Sequence, residues 1–415
     1  MRSRWVTVDT PRARLPEVGG DVVPQVVSLA EAQARLLASL PPPPIGSETL
    51  PLAGALGRVL AADMRTPGDL PPFDRSLVDG FAVRSADGCD LALGPPVVMG
   101  RAAAALPPGC AVAVPTGGMV PAGADAVVMQ EDVRLVDGRV QLPRPGRPEE
   151  NVVRRGSDAR GGDVAVPAGR RLRPAEIASL ATIGALEVPV GCRPRVAVLS
   201  TGDELVSEGR PVALGQVRDS NAPALCAALE RDGATPVPLG VVGDRRAAVR
   251  AALRRGLSCD ALFCTGGSSV GERDYVPAEL ERILGVAPLF SGIAIRPGRP
   301  TAVFVAGGRL AVALPGHAVS ALVVYELLLR QAVRRLGGEA HPAPRGTVSA
   351  SLGADLAAPT DRDLYARVRL ERGRAVPLAG PSATIGNLAR ADALVRCAAG
   401  QRLAAGEVVA ARLLD

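Results

Sequence analysis

The chain has no lysine; all 48 of its basic residues are arginine. A phosphate-binding loop of the kind that needs a lysine before its last Ser or Thr is therefore excluded. Together with abundant Ala, Gly, Pro and Val, the absence reads as a GC-rich coding bias rather than a functional choice. Histidine is nearly absent too: His317 and His341 are the only 2, too few for a histidine-based metal cluster. The 7 cysteines are scattered and contain no C-x-x-C, which gives neither a disulfide framework nor a thiolate zinc site. Cys264, at the end of an apolar run, reads as a small buried hydrophobe rather than a nucleophile. Aromatic residues make up 2% of the chain, so its cores must be packed from Leu, Val, Ala and Ile. Stacking aromatics and a basic stripe, the marks of a nucleic-acid surface, are both missing. No apolar stretch approaches the length of a membrane span, and the first residues hold no apolar signal core. A cytoplasmic protein with no nucleic-acid or membrane partner is expected.

What remains is ordinary for a globular protein: 415 residues, 47% hydrophobic and 22% charged, with a net charge of +6 spread along the chain. That length allows roughly two to four domains. SLAEAQARLLASL (28–40) is a short helical pattern with Ser28 as its cap and Glu31 completing a capping box, and a run of prolines ends it. LAGALGRVLAADM (52–64) predicts a second helical or mixed segment. From about 78 to 150, short alternating runs such as CAVAVP and DAVVMQ lie between Gly and Pro turns, the pattern of a small β-rich module. RPAEIASLATIGA (173–185) returns to helix. Between 194 and 336 apolar strands (RVAVLS, TPVPLGVV, DALFCTGG) alternate with helical segments, which predicts a parallel α/β sheet. HAVSALVVYELLLRQAVRRLGG closes that region as one long helix. RGTVSASL, YARVRL and VVAARLL then predict strands of a small terminal barrel or sandwich.

In open α/β sheets, ligands bind outside the carboxyl ends of the strands, and three acidic motifs fall there. They are Glu204 in STGDEL, Asp244 in VVGDRR, and Asp274 in CTGGSSVGERDY. Glycine turns let backbone N–H groups approach an anion, and converging carboxylates beside such a cradle suit a divalent ion on phosphate oxygens. Taken by itself, Asp244 reads as a helix N-cap before it reads as a catalytic group. SGIAIRPGRPTAVF (291–304) sets Arg296 and Arg299 around a Pro-Gly turn, either an oxyanion clamp or two surface arginines among many. ALPGHAVSA (313–321) opens a helix with His317 and Ser320. LPPFDRSLVDGFAVR (70–84) makes a rigid loop with Asp74 and Asp79, to be read as a presented pair of carboxylates or as a stiff interdomain linker.

Read together, PPFDRSLVDGFAV, TGGMVPAGADAVV, ENVVRRGSD, STGDEL, TGGSSVGERD, PGRP and LPGHAVSA stand in one order along roughly residues 45–400. That order and spacing resemble the molybdenum insertase family of molybdenum-cofactor biosynthesis, the MoeA and gephyrin E-domain group. The resemblance implies an α/β multidomain, elongated chain. Its parts would be an N-terminal linker domain (25–66 and 151–180), a β-rich inserted domain (67–150), a parallel α/β molybdopterin-binding domain (181–338) and a C-terminal β-barrel-like domain (339–415). It implies a homodimer that takes adenylylated molybdopterin and molybdate, inserts the metal into the dithiolene and releases AMP, with Mg2+ as cofactor. A molybdopterin adenylyltransferase and molybdoenzyme maturation factors would be its protein partners.

Carried over by position, the resemblance implies catalytic roles for Asp79, Glu204, Asp244 and Asp274, the last three as metal ligands. Thr116, Asp158, Ser200, Gly202, Gly266, Gly267, Ser269 and Gly271 fall on substrate-binding positions, and Arg296, Arg299, Ser320 and Arg367 on molybdate contacts. The chain departs from the family pattern at three points. Arg twice stands where the family has Lys, as in PGRP for PGKP, His317–Ala318 stands where the family has Asn–Pro, and Gly386–Asn387 stands where it has a Ser pair. Those departures keep open a paralogue serving tungstate, or a non-catalytic molybdopterin-binding scaffold. A nucleotide-cleaving relative sharing only the 194–336 domain is disfavoured by the β-rich insert and the C-terminal module.

Overall fold

The structure, a computed structural model, describes residues 26–43, 45–267, 275–378, 380 and 385–414. The chain leaves its N-terminal region at about residue 66 and returns to it at about 160, because strands before and after the insert pair with each other. Ser47–Pro51 runs antiparallel to Glu187–Gly191, and Met64–Arg65 to Val164–Val166. Helix Pro174–Thr182 packs Leu180 into the small core between them with Leu60, Val188 and Val190. Where 52–64 predicts helix, a single 3-10 turn forms at Leu52–Gly54. Gly57, in the left-handed region at φ 74°, stops its continuation.

The neck of the insert is stiffened by charge. Asp74 accepts from Arg154 Nη1 at 2.6 Å and from the Arg155 amide at 2.7 Å, and Asp69 accepts from Arg155 Nε at 2.7 Å. The backbone N–H groups of Arg155 and Gly161 and the Arg154 and Arg155 guanidinium groups hold both carboxyls below their ordinary range. Beyond the neck, six strands form one sheet in the spatial order Ala126–Met129, Gly80–Val83, Cys110–Val114, Asp90–Leu93, Arg139–Gln141, Arg134–Val136. Its two faces are lined by Val, Ala and Leu, as the shortage of aromatics requires.

The α/β region holds a six-stranded sheet in the order Thr235–Val242, Arg195–Thr201, Ala261–Thr265, Arg309–Leu314, Ala302–Ala306, Phe290–Ser291. The first four strands are parallel, as their near-continuous apolar runs predict. Ala302–Ala306 runs antiparallel to both of its neighbours, so the sheet is mixed rather than purely parallel. The cause is legible: Gly307 and Gly308, at φ 56° and 76°, make the two-residue hairpin turn that only residues tolerating positive φ can form. Helix Leu29–Ser39, capped by Ser28 Oγ on the Glu31 amide at 3.2 Å, buries Leu29, Ala32 and Leu36 in this region's core. The stretch expected as one long helix is helical from Ala318 to Leu336, with a π turn at Tyr325–Leu329. Tyr325 is fully buried there, its ring edge-on to Phe263 and its hydroxyl 2.9 Å from Ala228 O and 3.0 Å from Asp232 Oδ2. Burial pushes that hydroxyl's pKa well up.

One buried carboxylate fixes the helix that follows the third strand. Glu279, on Tyr275–Leu284, is fully buried and accepts from Arg250 Nε at 2.5 Å and from Arg246, one turn apart on helix Arg246–Gly256. The Arg250 hydrogen bond is the main reason its pKa falls to about 2. A depressed carboxyl stabilises the fold above its ordinary pKa and loses that contribution as pH falls toward its folded value, here between about pH 5 and pH 2. Glu279→Gln should cost about 1.5–3 kcal/mol at neutral pH, the range for a charge-assisted hydrogen bond, and flatten this part of the acid limb. Chemical denaturation at pH 7 and pH 3 checks both; equal losses at the two pH values would contradict the assignment.

The C-terminal strands close on themselves. Asp363–Glu371, Arg374–Pro377, Thr347–Leu352, Val408–Leu413 and Ala393–Cys397 follow one another, and the last pairs back to the first. A sixth strand comes from the α/β region: Ile295 and Arg296 pair in parallel with Asp363 and Leu364. That pairing seats the barrel beside the Pro-Gly turn of 297–299.

Candidate active site

At the carboxyl ends of the parallel strands the backbone is crowded, and glycine is what permits it. Gly266, at φ 87°, faces the carbonyl of Thr201, and a Cβ there would lie 2.2 Å from that oxygen. Gly202, at φ 154°, leaves room for the Glu204 carboxylate, 2.7 Å from where a Cβ would stand. Gly267, at φ 57°, packs against Val276. Ser200 Oγ and Thr265 Oγ1, both fully buried, lie 3.2 Å apart and tie the two strand ends together. The two β-strand exits predicted to hold substrate are thus brought together. Ser269, Gly271 and Asp274 lie outside the described residues.

The acidic motifs meet through a residue the sequence reading passed over. Asp203, not Glu204, accepts the Asp244 amide, at 3.0 Å, and so holds the VVGDRR turn against the STGDEL turn. Asp244 is not an N-cap: the following helix begins at Arg246 with Arg245 in the cap position. Glu204 and Asp244 are carboxylates on adjacent turns. Among the described residues no three His, Cys, Asp or Glu gather as a metal cage. The donor set does match a hard cation in kind, since all its side-chain atoms are carboxylate oxygens.

Asn221 is a second residue missed from sequence. It opens helix Asn221–Arg231, is 6% exposed, and donates from Nδ2 to Gly316 O at 2.8 Å. Its Oδ1 is buried without a partner, an acceptor left at the strand ends beside Gly316 and Gly266.

On the other side of the Pro315–His317 turn lies a cleft of about 980 Å3, between the α/β region and the barrel. Arg296, Arg299, Ser320 and Arg367 all line it, with His317 and Arg362. The four predicted oxyanion contacts therefore converge, although Arg367 is far from the others in sequence. Arg367 is 8% exposed and, among the described residues, has no carboxylate partner: Nη2 donates to Gly380 O at 2.7 Å, and Nη1 is buried with no acceptor among them. Burial pulls its pKa below the usual arginine value. A guanidinium in that position can offer its charge to an anion in the cleft. Arg299 pairs with Asp361 at 3.1 Å, both half-exposed. Cys264, fully buried and with its thiol pushed far up by burial, is the inert hydrophobe it was read as.

The insert holds a third group. Asp79 Oδ1 accepts from the Thr116 amide at 2.6 Å and from Thr116 Oγ1 at 2.8 Å. The amide bond is the larger cause of Asp79's lowered pKa, so it stays a carboxylate. Thr116 is presented by the tight turn before Gly117, at φ 77°. The two acids of LPPFDRSLVDGFAVR thus divide: Asp74 belongs to the stiff neck and Asp79 to an exposed carboxylate–threonine pair. Asp158 is exposed, and its amide donates to Leu70 O at 2.9 Å in the same neck. No residue of the insert lines the arginine cleft.

A mixed α/β sheet with glycine turns at its strand ends, separated by one turn from an arginine cleft, defines a class of multidomain α/β proteins with two adjoining sites. The comparisons give that class its family. Three family models cover the chain in order: "MoeA N-terminal region (domain I and II)" over residues 27–184, "Probable molybdopterin binding domain" over 197–335, and "MoeA C-terminal region (domain IV)" over 349–414. The molybdopterin molybdenumtransferase of Haemophilus influenzae is 36% identical over 323 residues, 76% of this chain and 78% of that one. That of Bacillus subtilis is 36% identical over 305 residues, 69% and 70% of the two chains. Two crystal structures of the MoeA protein of molybdopterin biosynthesis from Pyrococcus horikoshii superpose with TM-scores of 0.77 and 0.79. They are 32% and 27% identical, over 94% of this chain and 100% of each of theirs. The chain belongs to the MoeA family of molybdopterin molybdenumtransferases.

Proposed function

We propose that this chain is a molybdenum insertase of molybdenum-cofactor biosynthesis, a transferase that moves molybdenum from molybdate into molybdopterin. The observation that carries the reading is the convergence of Arg296, Arg299, Ser320 and Arg367 on one cleft, a single turn away from the glycine cradle at the strand ends. Molybdate is a tetrahedral dianion and its acceptor is anionic as well, so bringing the two together needs fixed positive charge more than it needs a general base. Arg296 and Arg299 at the Pro-Gly turn and Arg367 on a strand of the closed barrel supply that charge, with Ser320 as a neutral donor near a helix start.

The pterin arrives adenylylated in this reading, and AMP leaves on insertion. Ser200, Gly202, Gly266 and Gly267, with Ser269 and Gly271, cradle its phosphate end, and Asn221 Oδ1 offers the acceptor that one of its N–H or O–H groups would satisfy. Glu204, Asp244 and Asp274 would hold Mg2+, which polarises the pyrophosphate when bound. Asp79 and Thr116, with Asp158 at the neck, act on the site of the partner subunit in a homodimer, consistent with their absence from their own chain's cleft. A molybdopterin adenylyltransferase upstream and molybdoenzyme maturation factors downstream would be its protein partners, in the cytoplasm. No helix among the described residues is long and apolar enough to cross a membrane.

The test is direct. Purified protein is incubated with adenylylated molybdopterin, molybdate and Mg2+, and both AMP and pterin-bound molybdenum are measured. Molybdenum in the pterin with stoichiometric AMP supports the whole reading. AMP without molybdenum would make the chain a nucleotide-cleaving relative, and neither product would leave a scaffold.

A further inference from the structure

Arg299 is the only one of the three candidate oxyanion arginines whose guanidinium is paired with a carboxylate among the described residues. Asp361 Oδ2 accepts from Arg299 Nη1 at 3.1 Å, and Asp361 Oδ1 accepts from Arg362 Nε at 2.9 Å. Arg299 and Arg362 both line the cleft. Asp361 comes from the loop that leads into barrel strand Asp363–Glu371, so the pair also crosses from the α/β region to the barrel. Arg362's hydrogen bond is the main reason the Asp361 carboxyl sits below its ordinary range, and it is ionised at neutral pH. Asp361 does not itself line the cleft but meets Arg299 at its edge, and the acid that does line it among the described residues, Asp355, is engaged on the Ala405 amide at 2.8 Å.

We propose that Asp361 is a built-in competing anion, which occupies Arg299 in the resting cleft and is exchanged for the substrate oxyanion. The inference rests on the oxyanion reading of the cleft. Both partners are half-exposed, 45% and 50%, so the ion pair is weak enough to be displaced. It is also well placed to be reformed, because Arg362 holds the carboxylate beside Arg299 after the guanidinium has turned away. Binding is then an exchange of one anion for another. Its consequence is a lower resting affinity, with less occupancy by ambient anions and faster release, rather than a change in the chemical step. Asp361 acts through Arg299 and is a positioning residue.

Removing an exposed competitor of this kind should tighten anion binding by about two- to fivefold, the range such pairs span. The experiment is calorimetric titration of molybdate into the full chain for wild type, Asp361→Asn, Asp361→Glu, Arg299→Ala and the Arg299→Ala/Asp361→Asn double variant. Asp361→Asn is expected to bind about two- to fivefold tighter. Asp361→Glu should stay near wild type, and the double variant should show no gain over Arg299→Ala, because the competition acts only through that guanidinium. A merely structural role for Asp361 would weaken binding or leave it unchanged. In turnover the same variant should lower the molybdate KM with kcat unchanged.

Unchanged or weaker binding in Asp361→Asn, while Arg299→Ala still weakens it, overturns the exchange and leaves the cleft reading intact. A gain that persists in the double variant also overturns it. Wild-type binding that neither Arg299→Ala nor Asp361→Asn alters would overturn both.

Discussion

Arg367→Ala is expected to raise the molybdate concentration needed for half-maximal insertion about 10- to 100-fold, with the affinity for adenylylated pterin nearly unchanged. A hydrogen bond from a charged donor is worth about 1.5–3 kcal/mol, and every 1.4 kcal/mol is a factor of ten. Arg367 is the strongest candidate for such an effect because its charge is already desolvated, and among the described residues it meets no carboxylate and its Nη1 no acceptor. The oxyanion would supply what the protein does not. Arg367 is held by its bond to Gly380 O, so alanine also leaves that carbonyl without its partner, and the melting temperature must be followed alongside. Excess molybdate should restore much of the activity of a folded variant. Equal losses of affinity for molybdate and pterin would assign this arginine to the phosphates instead.

Asp79→Asn is expected to lower turnover by on the order of 10²-fold or more, the scale on which a positioned catalytic group acts, with molybdate affinity and stability preserved. Asparagine keeps an oxygen for the Thr116 amide and hydroxyl, so the turn should survive while the charge is lost. Mixed dimers of Asp79→Asn and Arg367→Ala chains add the second half of the test. If each site draws Asp79 from one subunit and Arg367 from the other, one site of every mixed dimer is intact, and activity should return toward half that of wild type. Mixed dimers as inactive as either parent would show that the two groups do not act across subunits.

The sequence makes the fold's main elements readable because each follows a local rule. Apolar runs at 195–201 and 261–265 could only be buried strands, and Ser28 with Glu31 could only open a helix. The antiparallel edge of the sheet was readable in principle from Gly307–Gly308, but the strands around it look like the parallel ones, since both kinds are buried on two faces. The candidate site was legible in its string motifs and not in its partnerships. Nothing local in DRDLYARV tells that Arg367 is buried with no carboxylate partner among the described residues, or that Asp361 reaches Arg299 across a domain boundary; closure of the barrel decides both. Asp203 stood one position from the residue chosen, and only the register of two turns shows that it is the tie between them. Asn221 gave no signal beyond a helix start, because an orphaned acceptor is a property of packing.

Where the oxyanion sits tests the account most directly. Crystals of the full chain soaked in molybdate or tungstate would locate the heavy atom by its anomalous signal. The account predicts a peak in the cleft, within hydrogen-bonding reach of Arg296, Arg299, Ser320 and Arg367 and absent in Arg367→Ala. A peak confined to the strand-end turns of Ser200, Gly202 and Gly266, with an empty cleft, would contradict it.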